Sequence, residues 1–403
     1  MFMSCRPRSL ALAVVFVTAC GGGSGDGART QPPPGNNPPA PPTQGMDAPF
    51  EPPAFSGPHP VGMTSFHWTD PNREETLTPD DDDQRELMVH LFYPADAAGA
   101  AAVPVVRDRH WQTLATEEAV AGRILRRSNY DGVSWPVSAS PTPIAAPALL
   151  PVVVFSHGGG GAIERNLFLI GELASHGYVV AAVNHSYHAD FAIFPGGRIA
   201  ENQGFGLDSD GTISPAEAML LADAQVLWAM DQVFVVDQLL ALHQEPGGDF
   251  EGRLDLARPT AAGYSLGGAA AFEAASRDAR FVAVVDLDGS IWPGGDPGIL
   301  VPMLWVQSGT GAQFDVFDRV LADGYAVMFD SSVAHFAFED LSLFWRWDFP
   351  ALHPYGPMDS LDALRATSEL TRQFLARVLN GSPAPALDDP AQLLDGTRVE
   401  RFP

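Results

Sequence analysis

The chain has 403 residues, 46% of them hydrophobic, enough for one large domain or two ordinary ones. Its formal net charge is −26, from 23 basic against 49 acidic side chains, so nucleic acid is an excluded partner, and no basic stripe offsets that repulsion. The two cysteines, Cys5 and Cys20, both fall at the N-terminus, so a chain processed at Cys20 has no thiol for disulfides, cysteine metal sites or thiol catalysis.

Residues 1–19 read as a lipoprotein signal peptide. Arg6 and Arg8 form a charged start, and Leu10 to Ala19 form an apolar run too short to span a bilayer. The ending Val17-Thr18-Ala19-Cys20 resembles a bacterial lipobox, in which Cys20 is acylated and becomes the new N-terminus. Residues 20–56 are rich in Gly, Pro, Asn and Gln and read as a flexible tether. The expectation is an exported, membrane-anchored bacterial lipoprotein at the outer membrane or cell surface, held through an N-terminal lipid.

The globular part is expected over 57–380. Leu87 to Tyr93 reads as a strand ended by Pro94, and the Ala/Pro-rich 96–147 as an irregular surface insertion. Pro151 to Ser156 is a strong strand, followed by the glycine run of His157 to Gly161. A helix from about Glu164 to His176 stops at Gly177, and Val179 to Val183 is the next strand. After a second insertion at 189–213, a long apolar-rich helix runs from Pro215 to His243. Strands follow at Thr260–Tyr264, Phe281–Leu287, Met303–Gln307 and Ala326–Phe329, with a helix from Gly267 to Ala275 after the first of them. A last helix covers Ser360 to Leu379, and 381–403 reads as a C-terminal tail. Short apolar strands alternating with helices imply an α/β fold with a mostly parallel central sheet flanked by helices.

Within that pattern Gly263-Tyr-Ser265-Leu-Gly267 sits where a strand enters and a small-residue helix leaves. A serine there is held on a sharp strand-to-helix turn, as a nucleophile requires. A hydroxyl is a poor nucleophile near neutral pH, so a base, an orienting acid and oxyanion donors should accompany it, the acid and base following in that order. Asp286 and Asp288 both lie at the end of Phe281–Leu287. Asp288 is preferred because it stands past the apolar run beside Gly289, whereas Asp286 would lie deeper, where an unpaired carboxylate is costly. His335 follows the strand at Ala326–Phe329 and is selected by position over His185, His188 and His353. The glycine loop after Ser156 supplies one oxyanion donor, the amide of Gly159, and the residue after the nucleophile, Leu266, supplies the other.

These segments together resemble the plasma-type platelet-activating factor acetylhydrolase (lipoprotein-associated phospholipase A2) family of α/β-hydrolases. The likeness rests on PVVVFSHGGGG with LASHGYVVAAV over 151–183, on Gly57–Gly62 with Leu91–Pro94, on Phe281–Pro293, and on Ser332-Val-Ala-His335. It implies an α/β-hydrolase fold over roughly 57–380 and puts the family aspartate on Asp288. It also implies calcium-independent hydrolysis of short or oxidised acyl esters of phospholipids, with no metal or organic cofactor. The pattern departs at Tyr264, before the serine, and in the all-glycine loop. General carboxylesterases and polyester hydrolases share the same skeleton. A non-catalytic surface lipoprotein is the alternative from another class.

Two further signals compete with blander readings. Residues 206–217, GLDSDGTISPAE, approximate a calcium-binding loop but also contain a helix capping box, Ser214 to Glu217. Trp292, and Trp345 within Phe344–Phe349, are candidate pocket residues or ordinary packing. The oligomeric state is left open.

Overall fold

The computed structural model describes residues 48–402, apart from 81, 98, 100–101, 106–128, 146–148, 208–212, 293–297, 310–318, 331, 349–357 and 389–395. Cys20 and the calcium-like residues 208–212 therefore lie outside the described residues.

Strands β1 (Val61–Glu74), β2 (Gln84–Pro94), β3 (Ala102–Pro104) and β4 (Ser134–Ala139) come first. Then follow β5 (Leu150–Ser156), helix α1 (Leu167–Ser175), β6 (Val179–Asn184) and the small hairpin β7 (Phe191–Ile193) and β8 (Ile199–Glu201). Helix α2 (Pro215–Gln244) leads into β9 (Leu254–Tyr264), α3 (Leu266–Arg277), β10 (Ala283–Leu287), β11 (Met303–Gln307) and β12 (Gly324–Met328). The chain ends with α4 (Leu341–Asp348), α5 (Ser360–Asn380), α6 (Pro385–Asp388) and β13 (Arg398–Phe402).

One sheet of eleven strands runs in the order β13-β12-β11-β10-β9-β5-β6-β2-β1-β4-β3. The six from β12 to β6 are parallel, and β13, β2 and β1 join antiparallel. The parallel strands look apolar throughout because both faces are covered, yet they still alternate. Val153, Phe155 and Val180 pack into a core with α1 and α5 on one face, while Val152, Val154 and Val183 pack with Val235 and Phe272 on the other. Each such side chain, fully buried, contributes about 1.5–3 kcal/mol.

Helix α2 is long and apolar enough to cross a bilayer by length and composition alone. Here it is a core helix. Its buried polar residues, Gln225, Asp231 and Gln232, all meet partners inside the protein. It begins with the predicted capping box: Ser214 Oγ accepts from Glu217 N at 3.3 Å and Glu217 Oε2 from Ser214 N at 2.8 Å. The last acidic position of the calcium-like pattern is thus engaged in the cap, and among the described residues no group of three or more metal-ligating side chains converges.

Three segment boundaries differ from the sequence-based expectation. Residues 96–147 are not merely a surface insertion, since β3 and β4 extend the sheet and bury Trp135 and Val137. The tail 381–403 is part of the fold, since β13 pairs with β12 from Gly324↔Phe402 to Met328↔Arg398. The tether ends before Phe50, which is buried against Tyr130 and Phe344, while Phe55 stacks on Trp135. Alternation cannot reveal any of these, because their partners are remote in sequence.

Candidate active site

The site lies beyond the carboxyl ends of β5, β9, β10 and β12, where an open parallel sheet presents its crevice. Ser265 stands between β9 and α3 with φ 53° and ψ −123°, a left-handed conformation that an L-residue adopts only under constraint. The constraint is local packing. A Cβ on Gly263 would drive into the backbone of Gly267, and one on Gly267 into the carbonyls of Ser156 and His157. Strand, turn and helix therefore approach more closely than any other residue pair allows. The Ser265 amide donates to Leu287 O at 2.8 Å, tying the turn to the end of β10.

Asp288 follows β10, also with positive φ (56°), and is held by two backbone bonds. Its amide donates to Val306 O at 2.7 Å, and its Oδ1 accepts from Ser308 N at 2.7 Å. Its Oδ2 lies 2.6 Å from His335 Nδ1, and His335 Nε2 lies 3.1 Å from Ser265 Oγ. The structure thus brings the three sequence-predicted residues into one hydrogen-bonded row. Burial works to lower the His335 pKa, but the Asp288 hydrogen bond and charge outweigh it, so the imidazole sits above its ordinary value. Asp286 is elsewhere: it is fully buried, Oδ1 accepts from Gly289 N at 2.7 Å, and burial pushes its carboxyl well above the usual range.

Opposite Ser265, the loop after β5 turns through Gly160 (φ 67°) and closes with Gly161 N donating to Gly158 O at 3.0 Å. Among the described residues the amides of Gly159 and Leu266 have no acceptor, and Leu266 opens α3, where the helix dipole favours negative charge. Phe205 borders Gly159, and with Trp292 it packs against a cluster of Leu266, Trp228 and Ala270. Trp292 therefore stands on the same wall as Leu266. Trp345 lies on α4, and its side chain is outside the described residues.

Tyr264 marks the departure from the family pattern and gains a role here. Its hydroxyl donates to His335 O at 3.0 Å, its ring lies 5.0 Å from the imidazole, and a side chain on Gly158 would begin 2.8 Å from it. It buttresses both the histidine loop and the glycine loop. No local pattern announces this, because the contacts span 71 residues in one direction.

Residues 45–194 match the family "Platelet-activating factor acetylhydrolase, isoform II", a stretch that includes the glycine loop and stops short of Ser265. The platelet-activating factor acetylhydrolase of Cavia porcellus is 27% identical over 263 residues, covering 60% of this chain and 56% of that protein. The chain has an α/β-hydrolase fold and resembles platelet-activating factor acetylhydrolases over those residues. It thus spans a little over half the length of that curated relative. Among solved structures, a ferulic acid esterase from Streptomyces cinnamoneus is similar over 86% of this chain and 98% of its own, at 28% identity and a TM-score of 0.69. The structural likeness covers more of the chain than the segment 45–194.

Proposed function

We propose that the chain is a serine carboxylic ester hydrolase acting on short or oxidised acyl esters of phospholipids. The observation that carries the reading is His335, bridging Ser265 Oγ at 3.1 Å and Asp288 Oδ2 at 2.6 Å, with the amides of Gly159 and Leu266 lacking an acceptor among the described residues. Ser265 Oγ attacks the ester carbonyl while His335 Nε2 takes its proton. Asp288 holds the ring with Nδ1 protonated, so that Nε2 is free to accept. The Gly159 and Leu266 amides receive the oxyanion, each worth roughly 3 kcal/mol of barrier. His335 returns the proton to the leaving alcohol, and water repeats the cycle on the acyl-enzyme. Tyr264 keeps the base loop in place. No metal or organic cofactor enters any step.

A fluorophosphonate probe tests this. Wild type should be labelled and Ser265→Ala should not; folded wild type that resists the probe would sink the enzyme reading in favour of a non-catalytic surface lipoprotein. A panel of acetyl phospholipids, p-nitrophenyl esters, feruloyl esters and polyester films then ranks the substrates. A general carboxylesterase, taking aromatic acyl groups among others, is the second reading. It is supported by the Phe205 and Trp292 wall beside the donors and by the likeness to the ferulic acid esterase.

The anchor is a separate part of the proposal. Cys20 would carry the lipid, and the long polar segment after it would let the domain reach substrate near a membrane. Membrane fractionation of a Cys20→Ser variant checks it, with release into the soluble fraction expected.

A further inference from the structure

Beneath the glycine loop lies a set of buried polar groups that the proposed chemistry does not use. His157 is fully buried. Its Nδ1 is 2.7 Å from Gly158 O, and its Nε2 accepts from His185 N at 3.4 Å. A carbonyl only accepts, so Nδ1 carries the proton, and the ring is the neutral Nδ1–H tautomer. Burial, with His185 adding to it, lowers its pKa to about 3, so the ring stays neutral under ordinary conditions.

The bonded carbonyl belongs to a particular peptide. Gly158 C=O and Gly159 N–H are two ends of one trans unit and point in opposite directions. A bond that fixes the first therefore aims the second, and Gly159 N–H is the proposed oxyanion donor. The loop's other end is fixed too. Ser156 Oγ, one residue before His157, lies 2.8 Å from His185 Nε2 and accepts from Gln232 Nε2 at 2.8 Å. Gln232 Nε2 also donates to Ala262 O at 3.2 Å, on the strand that delivers Ser265. Behind His185, Asp231 binds its Nδ1 at 2.8 Å and is itself held by Arg85 and Arg73.

We propose that His157 is a positioning residue: its Nδ1–H locks the Gly158–Gly159 peptide with the Gly159 amide turned toward the Ser265 attack site, while Gln232, Ser156 and His185 hold that loop in register with the nucleophile strand. The inference rests on the ester-hydrolase reading, and it explains why a buried polar ring stands where an apolar one would pack equally well against Trp228. The effect is confined to the transition state, since the oxyanion forms only there.

The test compares His157→Leu, which removes the donor, with His157→Asn, whose amide N–H stands near the position of Nδ1. Steady-state kinetics on p-nitrophenyl acetate, thermal melting and affinity for an alkylboronic acid are measured for each. The boronic acid forms a bond from Ser265 Oγ to boron, the serine proton passes to His335, and a boronate oxygen takes the oxyanion position. His157→Leu should lower kcat roughly tenfold to a hundredfold with KM little changed, and boronate affinity should fall by the same factor. His157→Asn should regain most of that loss. Unchanged kcat in a folded His157→Leu, or equal losses in both variants, would overturn the proposal. If His157→Leu does not fold, imidazole nitrogen NMR of wild type decides: His157 should show the Nδ1–H tautomer without titrating between about pH 5 and 9. An Nε2–H tautomer, or titration in that window, overturns it. Wild type that neither turns over esters nor takes the fluorophosphonate probe would instead defeat the esterase reading.

Discussion

Asp288 and Asp286 lie two residues apart on the same strand end, and replacing each by Asn separates orientation of the base from support of the turn. At Asp288, Oδ1 is claimed by Ser308 N–H at 2.7 Å, so an asparagine there must keep its oxygen on that side. Its NH2 then faces His335 Nδ1, at the position where Oδ2 now stands at 2.6 Å. Two donors cannot share that line, so the imidazole is forced into the Nε2–H tautomer, with its proton aimed at Ser265 Oγ instead of its lone pair. Losing the correct tautomer in a Ser-His-Asp array costs about 10⁴ in kcat, or about 5 kcal/mol of barrier. Asp286 is different. Its Oδ1 accepts only from Gly289 N–H, which an asparagine oxygen also satisfies, and burial already favours its neutral form, so Asp286→Asn should change kcat by no more than about threefold. The assay is kcat and KM on a p-nitrophenyl ester at a pH well above the base's transition, with melting curves to show that both variants fold. An Asp288→Asn variant that retains more than about a tenth of wild-type kcat, or an Asp286→Asn variant that falls as far, contradicts these roles.

Three further outcomes follow from the same geometry. The base must be neutral to accept the serine proton, and its pKa is raised in the folded protein, so kcat/KM should fall with decreasing pH through an apparent pKa above imidazole's ordinary value of about 6.5. A midpoint below that value in the pH–rate profile would contradict it. Gly267→Ala pushes a Cβ into the Ser156 and His157 carbonyls, so it should cost about 1–3 kcal/mol in urea unfolding and a larger fraction of activity, because the displaced backbone carries the glycine loop. Deleting 396–403 removes β13 and leaves β12 as a bare edge, so the truncated protein should melt earlier and associate on light scattering, whereas a disordered tail could be removed without effect.

The parallel half of the sheet is legible because its strands contain short apolar runs, and β5 and β9 lead directly into helices. Ser265, Asp288 and His335 were nameable for the same reason, since each stands where such a run ends. The remaining elements depend on partners far away in sequence. β13, Arg-Val-Glu-Arg-Phe, is a charged edge strand whose partner lies about seventy residues earlier, and β4 carries a proline within Ser134–Ala139. Tyr264 looked like a departure from a pattern, although its hydroxyl reaches the His335 loop. The mate of His157 is the neighbouring carbonyl, which fixes the proton on Nδ1, while its Nε2 accepts from the amide of His185, 28 residues away.

Two serine–histidine–aspartate rows occur among the described residues, and hydrogen bonding alone does not tell them apart. Ser156, His185 and Asp231 are joined at 2.8 Å and 2.8 Å, closer at the serine than Ser265, His335 and Asp288 at 3.1 Å and 2.6 Å. Their surroundings assign opposite work. All three members of the first row are fully buried, so no substrate reaches Ser156, and its hydroxyl is saturated, donating to His185 and accepting from Gln232. The Asp231 charge is already neutralised by Arg85 and Arg73, and burial lowers the His185 pKa to about 4, so the ring gains little by accepting a proton. In the second row no arginine holds Asp288 among the described residues, the His335 pKa is raised, and Ser265 is strained at a turn that faces two unpartnered amides. A proton can move along a row only when the acid's charge is free to meet it and the serine has an electrophile to attack. The buried row meets neither condition, and what remains for it is to hold Ser156, and with it the glycine loop, at a fixed distance from the serine that meets both.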